Sequence, residues 1–186
     1  MNCANGASGI FPLLHSIGRM SLCSSSALTH LDSTGRTSQV DVSAKATTVR
    51  RAIAACRVTL PRNVFDLLKE NKLKKGDALN TARVAGIQAS KQTALLIPLC
   101  HQINLERTTV ELILDEQKSC VKITSTVACT GKTGVEMEAL TACSVAALCI
   151  YDMCKAASYD IRVEDLRLLA KTGGRSNFHR ADKDDI

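Results

Sequence analysis

Aromatic side chains are scarce: of 186 residues only Phe11, Phe65, Phe178, Tyr151 and Tyr159 carry a benzene ring, and tryptophan is absent. Five scattered rings cannot build the stacking platforms that single-stranded nucleic acids use. The net charge of +6 therefore points to a small phosphorylated ligand rather than to RNA or DNA. No uninterrupted apolar run approaches the 18 or so residues of a membrane span, so a soluble protein with no membrane partner is expected. Cys-x-x-Cys pairs are missing too, although there are nine cysteines, an odd number. Cys56, Cys120, Cys129, Cys143 and Cys149 sit among Ala, Val and Leu and read as small apolar core residues in a reducing compartment. Cys100 and His101 are sequence neighbours, an awkward geometry for one tetrahedral zinc site, so no metal centre is expected.

What is present suits one domain with tails. Residues 1–27 hold no acid and only Arg19, with a serine cluster, and read as a disordered extension or a mitochondrial presequence. Residues 28–180 form the domain, and 181–186 (ADKDDI) a flexible tail. AIAACRVTL (52–60) reads as a strand ending at Pro61. LPRNVFDLLKENKL reads as a short helix with Val64, Leu67 and Leu68 on one face. Asp77 N-caps a second helix running to Pro98, with Ala78, Ala82, Ala85, Gly86 and Ala89 at helical spacing. Residues 108–114 and 119–129 alternate with period 2 around the charged turn DEQK, a hairpin signature. A long helix over 136–157 follows, then one or two strands before Gly173-Gly174. The order β-α-(α)-β-β-α-β predicts an α+β fold of ferredoxin-like type, an antiparallel sheet with helices on one face. That architecture hosts many functions and implies none.

TGKTGVEMEAL (130–140) ends its first half like a phosphate-binding P-loop. That motif requires glycine at position 126, where Thr126 stands, so an ATPase loop is excluded. Two readings of Glu136 and Glu138 stay open: carboxylates on one side of an extended segment, or acids enriched in a helix's first turn. Asp152 and Lys155, at i and i+3 within AALCIYDMCKAA, form either a surface ion pair or a pair tuned by burial. Fourteen residues separate Glu138 from Asp152, about 21 Å along a helix. One small-molecule site cannot easily touch both, so a site assembled from two subunits is expected. His101 is the one histidine in the expected core, and Lys75 and Lys171 are loop-edge cations of the kind a triphosphate needs.

Taken in order, LTHLDSTGRTSQVDVSAKATTVR, LKKGDALNTARVAGIQASK, LIPLCH, TGKTGVEMEALTACSVAAL, IYDMCKA and RLLAKTGGRS resemble the cyclic pyranopterin monophosphate synthase family of molybdenum-cofactor biosynthesis. The resemblance covers about 28–180. It implies a lyase that converts (8S)-3',8-cyclo-7,8-dihydroguanosine 5'-triphosphate, made by a radical enzyme, to cyclic pyranopterin monophosphate and diphosphate. It also implies a homohexamer built as a trimer of dimers, with sites at the dimer interface, and a mitochondrial address if residues 1–27 are a presequence. Carried onto this chain, it makes Asp152 the catalytic acid/base, supported by Lys155. Leu99, Cys100, His101, Met137 and Glu138 then contact substrate, and Lys75, Glu136 and Lys171 complete the site. No resident cofactor is implied; Mg²⁺ would enter only with the triphosphate, since no carboxylate cage is visible.

Overall fold

The computed structural model describes residues 35–181. The expected extension at 1–27, and all of the expected tail except Ala181, lie outside that range. Nine elements follow in order: β1 (Thr48–Thr59), α1 (Arg62–Lys69), α2 (Ala78–Ser90), α3 (Thr93–Leu96), β2 (Arg107–Asp115), β3 (Cys120–Gly131), α4 (Glu136–Cys154), β4 (Arg162–Thr172) and β5 (Phe178–His179). The five strands form one sheet in the order β2-β3-β1-β4-β5, and each neighbouring pair is antiparallel. The α+β fold with its β-α-β-β-α-β order is thus the expected one. The two-residue β5 is an addition that carries too little sequence pattern to be read.

Alternation along β1 sets the two faces of the sheet. Ala52, Ala54, Cys56 and Val58 point to the core under the helices. The opposite face carries Arg57 and Thr59, whose side chains both bond Glu164 Oε2, at 3.2 and 2.9 Å. Small side chains on β1 leave room for α4 to lie across the centre of the sheet, and Ser125 Oγ of β3 donates to Ala139 O of α4 at 2.7 Å. Helix α2 covers α4 closely. A Cβ on Gly86 would stand 2.8 Å from Ala142 O, so only glycine permits this approach.

Helix α4 is itself long and apolar enough, by length and composition, to cross a membrane. The Thr and Ser residues that interrupt its apolar letters hid this in the sequence. Its Ala142, Cys143, Ala146, Ala147 and Ile150 are fully buried against the sheet and α2, as in a core helix.

Several boundaries moved. On α1 the buried face is Val64, Phe65 and Leu68, with Leu67 only half-buried, because helical spacing turns Phe65 inward instead. Burying Phe65 contributes roughly 2 to 3 kcal/mol. The expected N-cap of α2 is present, with Asp77 accepting from Asn80 N at 2.9 Å. That helix stops at Ser90 rather than running to Pro98, and α3 follows as a separate turn. Residues 155–157 lie beyond α4. The last strand is single but irregular: its pairing with β1 slips twice, and Asp165 adopts φ 62° within the second slip.

Candidate active site

A cavity of about 830 Å³ opens where the N-terminus of α4 meets the ends of β1 and β4. Seven of the residues singled out in the sequence line it: Leu99, Cys100, His101, Glu136, Met137, Glu138 and Lys171. The other three, Lys75, Asp152 and Lys155, are not among its lining residues. They gather at the opposite end of α4.

The cavity floor follows from the turn Gly131–Gly134. A Cβ on Gly134 would meet the carboxylate of Glu136, whose flexible side chain would have to swing away. Val135 then starts α4, so Glu136 and Glu138 occupy its first turn rather than an extended segment. The helix sends the two carboxylates to different environments. Glu136 is half-exposed and pairs with Lys171 Nζ at 3.0 Å. Glu138 is only 4% exposed, and burial pushes its carboxyl up to about 7, with the negative Glu136 adding to the effect against a bond from its own backbone. Cys100 is likewise raised, by burial and then by the charge of Glu138.

A strap formed by residues 39–45 crosses the cavity beside the loop after α3. Gln39 Nε2 donates to Cys100 O at 3.0 Å, and His101 Nε2 lies 2.8 Å from Val40 O. Lys132 Nζ reaches Ser43 O at 2.6 Å. His101 therefore has a structural bond in this state as well as a place in the cavity wall.

Cations dominate the lining. Besides Lys132 and Lys171, the cavity is edged by Lys45, Arg50, Arg51 and Arg175. Arg51 and Arg175 make no ion pair among the described residues. Against six cations stand two carboxylates, one of them poised near neutrality. Such a wall suits a polyanion with a polar heterocycle attached. Lys45, Arg50, Arg51 and Arg175 were missed as site residues. The doubled arginine at the start of β1 and the arginine after Gly173-Gly174 were the available signals.

The second cluster is built by one carboxylate and two amines. Lys75 Nζ lies 2.6 Å from Asp152 Oδ2, and Lys155 Nζ lies 2.8 Å from Oδ1. Lys75 Nζ also donates to Asp152 O at 3.0 Å. Asp152 has a side chain 52% exposed, so burial does not tune the pair as the apolar neighbours suggested. Hydrogen bonds from Lys155 and then Lys75 instead hold its carboxyl at about 2, and Asp152 in turn raises Lys155. The expectation that Lys75 and Lys171 serve one triphosphate together does not hold within a single chain: the loop before α2 carries Lys75 to the far end of α4.

The MoaC family model matches residues 39–174, a span that contains both clusters apart from Arg175. A protein of Arabidopsis thaliana named "Cyclic pyranopterin monophosphate synthase, mitochondrial" is 53% identical over 151 residues, 81% of this chain and 56% of its own length. A "Cyclic pyranopterin monophosphate synthase" of Chloroflexus aurantiacus is 52% identical over 149 residues, 80% of this chain and 91% of its own. The human "Molybdenum cofactor biosynthesis protein 1" is 52% identical over 158 residues, of which this chain spans only 25%. With the family model covering most of the described residues and a relative matched over nearly its whole length, the chain belongs to the MoaC family.

Proposed function

We propose that this chain is a lyase that converts (8S)-3',8-cyclo-7,8-dihydroguanosine 5'-triphosphate to cyclic pyranopterin monophosphate and diphosphate, a step of molybdenum-cofactor biosynthesis. The substrate would come from a radical enzyme. The names of the relatives support the reading. The observation that carries it is the cavity that joins six cations to a buried carboxyl with a pKa of about 7.

Opening the guanine ring and closing the pterin require several proton transfers, which need groups able to hold and release a proton near neutral pH. Glu138 meets that requirement. Its neighbours Leu99, Cys100 and Met137 would enclose the heterocycle, while a protonated Glu138 both donates to and accepts from its polar edge. Closing the cyclic phosphate forms a bond from a ribose hydroxyl oxygen to the α-phosphorus and breaks the bond to diphosphate. Charge gathers on phosphate oxygens, and Lys171, Lys132 and the arginines stabilise it there. No resident cofactor is proposed; Mg²⁺ would arrive with the triphosphate.

Asp152, Lys155 and Lys75 would complete the site from a second subunit, in a dimer that builds up to a hexamer. Half-exposed in one chain, this cluster would be desolvated under a partner, raising the Asp152 carboxyl toward a useful range while Lys155 supplies a proton. A mitochondrial address is supported by the printed name of the Arabidopsis relative.

Incubation with the cyclised triphosphate, followed by mass detection of pyranopterin and diphosphate, tests the reading. Unchanged substrate under conditions where the Chloroflexus relative turns it over would sink it.

A further inference from the structure

Ser125 sits in the middle of β3, completely buried beneath α4 in an otherwise apolar layer. Its Oγ donates to Ala139 O at 2.7 Å, toward the short end of the range for a hydroxyl bond. Ala139 lies in the first turn of α4, where its own N–H bonds Val135 O, and it directly follows Glu138. The bond from the sheet therefore reaches the helix one residue from the buried carboxyl of the cavity wall.

The surroundings do little to fix how α4 is turned about its axis at this end. The facing surfaces are short: Ala139 and Cys143 on the helix, and Ala52, Ala54 and Cys56 on β1, all buried. Such side chains raise no ridges to interlock. The thiols nearby are weak donors. Cys56 Sγ donates to Cys143 O at 3.5 Å, and Cys143 Sγ lies 3.3 Å from both Ala54 O and Ser125 Oγ. Successive helical residues point about 100° apart, so burial changes steeply along the first turn. Met137 is 37% exposed and Glu138 only 4%. A modest rotation of the helix would bring the Glu138 carboxyl out of the wall. The groups around that carboxyl come from every side: Glu136 on α4, Cys100 and His101 after α3, Cys129 on β3, Lys132 in the turn, Arg50 on β1 and Lys171 on β4.

We propose that Ser125 is a positioning residue: its bond to Ala139 O fixes the rotation of α4 on the sheet and so holds the Glu138 carboxyl inside the cavity wall. Alanine would fill the same core position with no polar atom to satisfy, so the hydroxyl serves direction rather than burial. It selects one orientation for the N-terminal end of the helix, which apolar contacts between alanines leave open. The consequence for turnover rests on the reading of Glu138 as a proton carrier, but the placement itself is measured without substrate.

The titration of the Glu138 carboxyl is followed by carbon-13 NMR of the full chain labelled at its glutamate side-chain carboxyls, the signal being identified by its loss in Glu138→Gln. The variants compared are Ser125→Ala, Ser125→Cys and Ser144→Ala. Ser144 Oγ donates to Leu140 O at 2.9 Å, the same kind of bond made within α4 and not from the sheet. In Ser125→Ala the midpoint is expected to fall by about one pH unit or more as water reaches the carboxyl, a loss of about tenfold in proton affinity. Ser125→Cys, close in size and a weaker donor, should shift it the same way by less, and it carries the test if Ser125→Ala does not fold. Ser144→Ala should leave the proton affinity within about twofold. A midpoint that is unchanged in every folded Ser125 variant, moved as far by Ser144→Ala, or already that of a free glutamate in the parent overturns the proposal. If the midpoint moves but the parent leaves the cyclised triphosphate unchanged, the positioning role stands and the proposed reaction falls. If it moves while kcat and its pH profile stay as in the parent, Ser125 still positions the carboxyl, and Glu138 is not the proton carrier of the reaction.

Discussion

Lys75 and Asp152 are joined by a 2.6 Å ion pair that ties the loop before α2 to the last turn of α4, and Lys155 grips the other oxygen of the same carboxylate. The carboxylate is shared between two amines, and all three lie apart from the cavity that holds the other candidate residues.

Asp152→Asn and Lys155→Ala are each expected to lower turnover by about 10²-fold or more while the chain still folds, since the pair is exposed in the single chain; unimpaired product formation in either variant would defeat the assignment. If the clusters belong to one site only across a two-fold interface, Asp152→Asn mixed with Glu138→Gln should regain up to about a quarter of parental activity, because half of randomly mixed dimers keep one intact site of two. No recovery after verified subunit exchange would mean that each chain carries a whole site.

Glu138 makes the protein's stability depend on pH. Its carboxyl titrates at about 7 when folded and at 4.5 when free, so the folded chain binds the extra proton between those values. Stability from this group is intact below pH 4.5 and is lost as pH rises through 7, in all by roughly 3 kcal/mol. Glu138→Gln should flatten the profile over that window in denaturant titrations and be the more stable form at pH 8. A parallel pair of profiles would show that the carboxyl titrates normally.

Lys171 serves Glu136 in the empty cavity and would serve phosphate in the occupied one. Lys171→Ala should weaken a nucleoside triphosphate by about tenfold and the corresponding nucleoside hardly at all, as measured by calorimetry. Equal losses for both ligands would argue that the lysine only shapes the wall.

Gly173 has φ +83°, and a Cβ there would collide with the carbonyl oxygen of Val49. Gly173→Ala meets both a left-handed backbone and an immovable neighbour, and should cost about 2 to 4 kcal/mol in unfolding experiments. A change below about 0.5 kcal/mol would mean that the loop after β4 relocates freely.

How much of this was visible in the letters depended on how local the physics was. Alternation in β1 and β3, the Asp77 cap and the helical pattern of α4 are signalled within a few residues, and each element is present with its ends shifted by a few positions. No Gly or Pro marks the break at Lys91, where Thr93 Oγ1 bonds back to Ser90 O, so the sequence pattern makes α2 too long. The slips opposite Ala54 and Arg57 depend on a neighbouring strand. In the site, Glu138 and Lys171, singled out by motif, both line the cavity. The burial that raises Glu138 and the distance that parts Lys75 from Lys171 are properties of the folded chain.

The strap over the cavity sets a limit on how the chain can be trimmed. Gln39 and Val40 are bonded to Cys100 and His101, some 60 positions later, so this segment is tied to the cavity wall. An expression fragment that starts at the first strand would retain the whole sheet and still leave the ligand chamber unlatched. Any shortened version meant to bind must begin upstream of Gln39.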